Sequence, residues 1–177
     1  KGGALYRYNK SADKFELFDH KLKDIHSLLQ DSKGRLWAGN YTELIEIDPI
    51  HKKHHYTKIN FAIRAIQEGL NHQIWIGTEG GGLLLFDPET KKIKRYIQSD
   101  GLPGNSVLNI LQDKQGNLWC STYNGLSKFD VIHHNFKNYY ATDGLQSNQF
   151  NYNAALKLTN GDFLFGGIGG FNLFSPD

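Results

Sequence analysis

Short apolar runs alternate with polar, glycine-containing turns along the whole chain. The stretch from Val107 to Asp130, VLNILQDKQGNLWCSTYNGLSKFD, shows the arrangement most completely. An apolar start leads into a turn from Asp113 to Gly116, and Leu118-Trp119 follows. A second polar turn then precedes an apolar run that ends in Phe129-Asp130. Runs of this length and composition, bounded by Gly, Asn and Asp, predict short strands joined by tight turns.

Four strands are predicted for this stretch and its continuation, at residues 107–112, 117–121, 125–129 and 136–140. Valine, isoleucine, leucine and aromatic residues dominate the strands. No window of the chain shows the apolar spacing of an amphipathic helix over three turns. The pattern therefore indicates an all-β protein.

The same unit recurs, and the tryptophans give its period. Trp37, Trp75 and Trp119 are separated by 38 and 44 residues, and Leu164 stands at the same place 45 residues further on. The equivalent stretches are residues 25–48, 63–87, 107–130 and 152–175, which we call the first to fourth repeats.

Four strands in every ~40–45 residues are typical of a β-propeller, in which each four-stranded antiparallel sheet forms one blade. Leucine-rich repeats and β-helix repeats are shorter, and helical repeats need a pattern that is absent. We predict about four blades, forming a segment of a larger propeller over residues 1–177. The predicted divisions are the end of a preceding blade (1–20), three blades (25–60, 63–98 and 107–141) and a last, incomplete blade (150–177).

Composition narrows the possible partners. The net charge of +2 is small and the lysines are scattered, so we expect no direct nucleic acid contact from this segment. Cys120 is the single cysteine, so it forms no internal disulfide, and we expect it to pack beside Trp119. No run of 18 or more apolar residues occurs. We expect the chain to be an excised or cleaved part of a longer protein whose targeting signals lie elsewhere.

Four motifs recur in or between the repeats: residues 113–119 (DKQGNLW) and 124–130 (NGLSKFD), and the linkers 100–105 (DGLPGN) and 143–148 (DGLQSN). They resemble the two-component regulator propeller repeat of bacterial hybrid two-component systems. The last unit, residues 148–158 and 166–177, is similar to the closing blade of such a sensor. Leu164 at a tryptophan position, and Glu43-Leu44 in place of Gly-Leu, depart from the pattern.

The resemblance implies a parent protein and a location. The parent would be a periplasmic sensor of a Bacteroidetes-type bacterium, anchored in the inner membrane and acting as a homodimer. A histidine kinase and a DNA-binding response regulator would follow in the same polypeptide. Such sensors detect oligosaccharides and control polysaccharide utilisation. The other blades and a following immunoglobulin-like domain would be the partners of this segment.

Propeller topology places the turns between the second and third strands, and the links between blades, on one face. Aromatic rings can cover the C–H face of a sugar while amides satisfy its hydroxyls. The alternative is that the asparagines only form turns. The candidate ligand-binding residues on or near this face are Tyr41, Arg64, Glu79, Asn105, Tyr123, Asn124, Asn148 and Asn151.

Histidines cluster on the opposite face, at His51, His54 and His55 and at His133 and His134. Adjacent residues on a strand point to opposite sides, and the two clusters belong to blades that are not neighbours. We therefore expect solvated surface histidines, no metal site and no cofactor.

Motifs for catalysis are missing from the sequence. Gly80-Gly81-Gly82 lacks the following Lys-Ser/Thr of a phosphate loop, and no Gly-x-Ser-x-Gly elbow occurs. Glu43 and Glu79 have no evident acid–base partner. We expect a non-catalytic segment; the alternatives are a propeller-fold lyase or glycan hydrolase, and a structural or dimerisation scaffold.

Both ends of the segment leave unpaired sheet edges, which are expected to pair with another strand. One edge begins near Leu5 and the other ends near Phe174. We predict either that the two ends complete one blade together or that the isolated segment self-associates.

Overall fold

A computed structural model describes residues 3–177, so the first two residues of the predicted blade fragment 1–20 lie outside the described residues. The first strands are β1 (Ala4–Asn9), β2 (Lys14–Lys23), β3 (Ser27–Gln30), β4 (Leu36–Gly39), β5 (Glu43–Ile47) and β6 (His55–Lys58). Next come β7 (Ala62–Glu68), β8 (Ile74–Glu79), β9 (Gly82–Phe86) and β10 (Ile93–Tyr96). The last are β11 (Val107–Gln112), β12 (Leu118–Thr122), β13 (Gly125–Asp130), β14 (Asn135–Tyr139), β15 (Phe150–Lys157), β16 (Phe163–Gly167) and β17 (Gly170–Phe174).

These strands form five separate antiparallel sheets. Sheet A contains β1 and β2, and sheets B, C and D contain β3–β6, β7–β10 and β11–β14 in chain order. Sheet E contains β15–β17. Three short 3-10 helices lie in the connections, at Leu70–His72, Gln98–Asp100 and Ala141–Asp143. The all-β fold of four-stranded antiparallel sheets is confirmed, and each predicted strand of the third repeat lies within one residue of its expected ends.

The sheets stack side by side, and their first strands β3, β7, β11 and β15 are neighbours around a common axis. Each buried apolar cluster draws its residues from two consecutive sheets. Sheets A and B share the cluster around Leu22 and Ile45, and sheets B and C share the one around Trp37. Sheets C and D share the one around Trp75, and sheets D and E share the one around Trp119. This face-to-face burial is how a propeller obtains its hydrophobic core.

One aromatic contact recurs at three of these interfaces. Trp37 contacts Phe86 with ring centroids 6.1 Å apart, and both Trp75–Phe129 and Trp119–Phe174 repeat the contact at 5.5 and 4.7 Å. In each pair the tryptophan belongs to the second strand of one sheet, and the phenylalanine lies at or one residue before the end of the third strand of the next. Tilted or edge-on rings at such separations are favourable beyond the area that they bury.

The aspartate of the first hairpin turn fixes the tryptophan. The indole Nε1 of Trp37 donates to Asp31 at 2.9 Å, and that of Trp119 donates to Asp113 at 3.3 Å. Asp31 also accepts the backbone N–H of Arg35. Burial alone would raise the pKa of Asp31, but the hydrogen bonds from Trp37 and Arg35 outweigh it and hold this pKa below its usual value. The turn and the inter-sheet contact are therefore coupled through one carboxylate.

A small residue two positions after the tryptophan lets the next sheet approach. A Cβ added to Gly39 would lie 2.3 Å from Ile63 Cγ2, and one added to Gly77 would lie 2.8 Å from Val107 Cγ1. Ile63 and Val107 occupy the same place at the start of the first strand of the following sheet. Close packing of this kind leaves no room for larger side chains.

Cys120 is buried, but it does not pack with Trp119 as expected. It belongs to the cluster between sheets C and D with Trp75, whereas Trp119 faces sheet E. Successive residues of a strand point to opposite faces of the sheet, so neighbours in sequence contribute to different interfaces.

The two ends of the segment do not complete one blade. Among residues 3–177, β1 pairs with β2 and β17 pairs with β16, with no pairing between the two sheets. The first of the two alternatives for the sheet edges is therefore wrong, and self-association stays a prediction.

The histidines of the opposite face have different environments. His51 and His133 are exposed and contact the aspartates that begin their turns, Asp48 and Asp130. The His54 side chain, however, is fully buried and contacts Asp19 at 3.2 Å, so the expectation of a solvated histidine is wrong there. Its ring lies between Asp19 of sheet A and the backbone N–H of Asp48, which donates to Nδ1. No group of three or more possible metal-ligating residues occurs within residues 3–177.

Replacing Phe129 by alanine tests the inter-sheet contact. Phe129 is fully buried against Trp75, so the lost contact and the resulting cavity should lower the free energy of unfolding by about 3–5 kcal/mol. Phe15→Ala is the matched control because Phe15 is 72% exposed, and it should change stability by less than about 1 kcal/mol. Urea unfolding measures both. Equal losses in the two variants would show that the interface does not depend on the aromatic contact.

Acid should weaken three equivalent turns. Backbone N–H donors of these turns lower the pKa values of Asp48, Asp87 and Asp130, that of Asp48 to about 2. Because an aspartate in the unfolded chain has a pKa of about 3.9, this stabilisation is present above about pH 4 and is lost as the pH falls toward 2. We expect the triple Asp→Asn variant to show a shallower loss of stability over that range in urea titrations. The same loss of stability with falling pH in the variant and in the wild type would contradict the role assigned to these three carboxylates.

Candidate functional site

Four side chains from three sheets meet above the common axis, and we call them the axial mouth: Arg64, Glu79, Tyr123 and Tyr152. Arg64 lies in β7 and Glu79 ends β8, both in sheet C. Tyr123 lies in the turn between β12 and β13, and Tyr152 lies in β15. The site is thus built where the first strands converge, on the face that carries the turns between second and third strands.

Glu79 is the centre of the axial mouth. Its Oε2 accepts hydrogen bonds from Arg64, whose Nε lies 2.9 Å away and whose Nη2 also contacts this oxygen. Its Oε1 accepts from the hydroxyl of Tyr152 at 2.9 Å and from that of Tyr123 at 3.4 Å. The two phenol hydroxyls also contact each other. One carboxylate therefore ties sheets C, D and E together.

The charges of the axial mouth are stabilised in place. The hydrogen bonds from Arg64 hold the pKa of Glu79 below its usual value. Burial would lower the pKa of Arg64, but Glu79 outweighs it, so the guanidinium stays charged. That guanidinium also lies 4.5 Å from the centroid of the Tyr152 ring, within the range of a cation–π contact. Ionised Glu79 and Arg64 form a neutral pair flanked by aromatic rings.

Register shifts in two strands direct Arg64 and Tyr152 toward the axis. β7 has a register shift between Ile63 and Ala65, and Arg64 is the extra residue. β15 has a larger one: between Phe150 and Ala155 it advances five residues, while its partner moves only from Gly167 to Phe165. Bulges redirect side chains and are frequent beside functional sites. The bulge in β15 brings Tyr152 over the axis.

A groove of about 450 Å³ continues from Arg64 between the first strands of sheets B to E. His26 and Ser27 of sheet B line it, with Asn109 of sheet D and Asn153 of sheet E. His26 Nε2 and Ser27 Oγ are buried and have no hydrogen-bond partner among residues 3–177. Burial, and then the charge of Arg64, lowers the pKa of His26, which favours its neutral form. The groove therefore offers polar atoms that can accept or donate hydrogen bonds.

A larger cavity, of about 590 Å³, lies beside sheet A and draws its lining only from sheets A and B. Arg7, Lys10 and Lys52 are among its lining residues. It is separate from the axial mouth and does not contain any of the predicted site residues. Its size alone gives no reason to prefer it, since binding sites are recognised by converging polar groups as well as by volume.

The predicted site residues separate into two groups, and the first lies at the axis. Arg64, Glu79 and Tyr123 are three of the four members of the axial mouth. Tyr41 is 53% exposed and packs edge-on against the His26 ring, with centroids 4.3 Å apart. Tyr41 therefore borders the groove from sheet B.

The second group consists of asparagines that hydrogen-bond to backbone groups or through their own backbone carbonyl. Asn105 Oδ1 accepts the N–H of Gln98 at 2.8 Å, and Asn148 Oδ1 accepts that of Ala141 at 2.7 Å in the next connection. Their repeated contacts stabilise the connections between blades. Asn124 Nδ2 donates to the carbonyl of Pro103, which fastens one turn to a neighbouring link. Asn151 is exposed, and its carbonyl accepts from Asn109.

Tyr152 is the member of the axial mouth that the repeat pattern did not indicate. Aligned on Leu164, it falls at the position of Ile63 and Val107, whose side chains are buried between sheets. The bulge in β15 breaks this equivalence and turns Tyr152 outward. The sequence feature that could have identified Tyr152 is a tyrosine at a position that is aliphatic in the other repeats.

The axial mouth is suited to holding a polar, uncharged group. It presents a carboxylate acceptor, two phenol hydroxyls that can donate or accept, and aromatic ring surface. Glu79 is the only carboxylate in the cluster, and both of its oxygens are occupied. Acid–base cleavage of a glycosidic bond would need two carboxyl groups placed across that bond. The arrangement therefore favours binding over catalysis.

The phenol of Tyr123 should resist ionisation. Burial, the Tyr152 hydroxyl and the charge of Glu79 all raise its pKa well above the usual 10. We expect the change in absorbance at 295 nm between neutral pH and about pH 11 to be the same in the wild type and in Tyr123→Phe. In a Glu79→Gln background, removal of the charge should lower this pKa, so that the two spectra diverge. A difference in this absorbance change between the wild type and Tyr123→Phe, with Glu79 present in both, would contradict the contacts assigned to Tyr123.

Comparisons with known proteins agree with this architecture. The two component regulator propeller family matches the chain at residues 21–42 and 101–124. A histidine kinase, P4, from Formosa agariphila is 33% identical over 195 residues, covering 99% of this chain. The chain spans only 14% of the length of that relative. Among residues 3–177, no helix is long and apolar enough to cross a membrane.

Solved structures share the fold. The extracellular domain of a putative hybrid two component system from B. thetaiotaomicron superposes with a TM-score of 0.81 at 23% identity, over 98% of this chain and 28% of that one. Virginiamycin B lyase from Staphylococcus aureus superposes with a TM-score of 0.71 at 17% identity, over 97% and 63% of the two chains. The resemblance noted in the sequence is confirmed: two stretches of the chain match two component regulator propeller repeats, and the chain has the fold of a propeller segment.

Proposed function

We propose that this chain is the ligand-sensing part of an extracytoplasmic two-component sensor and that its ligand is an oligosaccharide. The parent protein would be anchored in the inner membrane, with the propeller in the periplasm, and would signal to a histidine kinase that controls polysaccharide utilisation. The similarity to a histidine kinase supports the first part of this proposal. The likeness to extracellular domains of two component systems is consistent with the location.

The observation that carries the proposal is the convergence of sheets C, D and E on Glu79. Tyr123 is 39% exposed and Tyr152 is 41% exposed, so both rings are accessible from solvent. Aromatic surface beside hydroxyl and carboxylate groups is the chemistry by which proteins hold a sugar ring and its hydroxyls. A ligand at this point would contact three blades at once.

Such a ligand could bias the arrangement of the blades. A hydroxyl group that replaces Tyr152 at Glu79 Oε1 would release the bulge of β15 from sheet C. A ligand shifts an equilibrium only by its differential affinity for the two states, and this exchange supplies a difference. We propose that the change passes through sheet E to a following immunoglobulin-like domain and to the kinase, within a homodimer that also contains the remaining blades.

A lyase is the second candidate because virginiamycin B lyase shares the fold. Fold alone does not imply the reaction, since activity depends on the residues placed on the fold. In this chain, Glu79 accepts hydrogen bonds from Arg64, Tyr123 and Tyr152 and is ionised within a salt bridge. A lyase activity would need a base that is free to take a proton, so the geometry favours binding. A structural scaffold remains the third reading and is separated from the first by the experiment below.

The proposal predicts that an oligosaccharide raises the melting temperature of this chain. At 100 times its dissociation constant, a ligand that binds only the folded state adds about 2.7 kcal/mol of stability. A panel of oligosaccharides from different polysaccharides would be screened against the wild type and Tyr152→Ala. The variant should lose the shift because it loses both ring surface and hydroxyl.

Tyr6→Ala is the matched control, since Tyr6 is 57% exposed on sheet A, away from the axial mouth. It should retain the shift. Product formation during the screen would support the lyase. The absence of any shift and of any product, with a folded protein, would support the scaffold and overturn the proposal.

A further inference from the structure

In the axial mouth, the negatively charged Glu79 is more exposed to solvent than the positively charged Arg64. The Glu79 side chain is 34% exposed, whereas that of Arg64 is 17% exposed. Arg64 directs Nε and Nη2 at Oε2, and its guanidinium plane is covered by the Tyr152 ring. An approaching ligand therefore meets carboxylate oxygen Oε1 and the two hydroxyls bound to it before it meets the cation.

The charged groups around this point do not reverse that preference. His26 is kept neutral by its burial and by Arg64, and Asp24 lies close enough to His26 to act on it as a second negative charge. Arg95, the cation near the β8–β9 turn, donates to the carbonyl of Gly81 and lies over the Phe61 ring. Its charge is therefore directed at that turn, away from Glu79 Oε1.

The two phenols show what fits beside Glu79. The hydroxyls of Tyr123 and Tyr152 both donate toward Oε1, and they contact each other. Two adjacent hydroxyl groups on one sugar ring can make the same pair of contacts with a carboxylate. A ligand carboxylate or sulfate cannot, because it has no proton to donate and would be repelled by Glu79.

We infer that the axial mouth selects neutral, diol-bearing oligosaccharides over acidic ones, with Glu79 as the specificity-determining residue and its Oε1 as the acceptor for adjacent sugar hydroxyls. This inference rests on the proposed function and adds the chemical class of the ligand. Arg64 acts as a positioning residue that holds the carboxylate at the opening. One of the two sugar hydroxyls would take the place of the Tyr152 hydroxyl and the other that of Tyr123.

Matched pairs of oligosaccharides test the inference. Each pair consists of a neutral chain and its uronate counterpart: gluco-, galacto- and manno-oligosaccharides against the same chains oxidised to the carboxylate at C6. Dissociation constants would be measured by calorimetry for the wild type, Glu79→Gln and Glu89→Gln. Glu89 is the matched control because its side chain is 77% exposed in the turn between β9 and β10. Circular dichroism and melting curves would show that each variant is folded.

The wild type should bind the neutral member of a pair at least about tenfold more tightly, the scale of one unfavourable charge contact. In Glu79→Gln this preference should fall by about tenfold or reverse, because Arg64 is no longer neutralised and the acceptor is weaker. Glu89→Gln should keep the wild-type preference.

Three other outcomes are decisive. Equal or tighter binding of the acidic member by the wild type would overturn the inference and leave the proposed function standing. A neutral preference that persists in Glu79→Gln would also overturn it, since selection would then occur elsewhere. If no neutral or acidic chain bound to the folded wild type, the proposed function would fail, and this inference with it.

Discussion

The contact on which the stacking of sheets B to E depends is that between a tryptophan of one sheet and an aromatic ring of the next. Within residues 3–177 no strand pairs with a strand of a neighbouring sheet, so the array is held mainly by side chains packed between sheets. Sheets B, C and D each direct a tryptophan toward the following sheet, and the alternation of a strand directs the next residue toward the preceding one, as Trp75 and Ile76 show. Burial of large aromatic groups on both faces supplies the driving force.

This packing also determines the geometry of the axial mouth. Arg64, Glu79, Tyr123 and Tyr152 come from three sheets, and their separations are set by how closely those sheets approach. Gly77 and Val107 show how little tolerance the approach has. Rigid positioning lowers the cost of ordering a binding site when a ligand arrives. The bulges of β7 and β15 lie at the axis, where the regular packing ends and specific side chains can be directed at a ligand.

The sequence predicted the regular part of the molecule well, because a repeated pattern reflects a repeated physical requirement. The spacing of Trp37, Trp75 and Trp119 sufficed for the fold, and the Asp113 turn was recognised before its bond to the indole was seen. Arg64, Glu79 and Tyr123 could be proposed because topology alone places their turns and strand ends on one face. Their contacts with one another could not, since they join residues far apart in the chain.

The features that the sequence did not predict occur where one repeat departs from the others, or where successive residues of a strand face opposite sheets. Tyr152 was missed because its bulge shifts it out of register. Cys120 was assigned to the wrong interface because neighbours in sequence face opposite sheets. Asn105 and Asn148 could not be separated from binding residues by composition, since amides that stabilise a turn and amides that hold a sugar are chemically the same.

Hydrogen exchange followed by mass spectrometry, with and without a bound oligosaccharide, would test the central claim most directly. If the ligand occupies the axial mouth, protection should change in the β12–β13 turn around Tyr123 and in the bulge of β15 around Tyr152, and remain unchanged in sheet A. Changes confined to sheet A, or to the turns of the opposite face around Asp31 and Asp113, would contradict the account and place the ligand elsewhere.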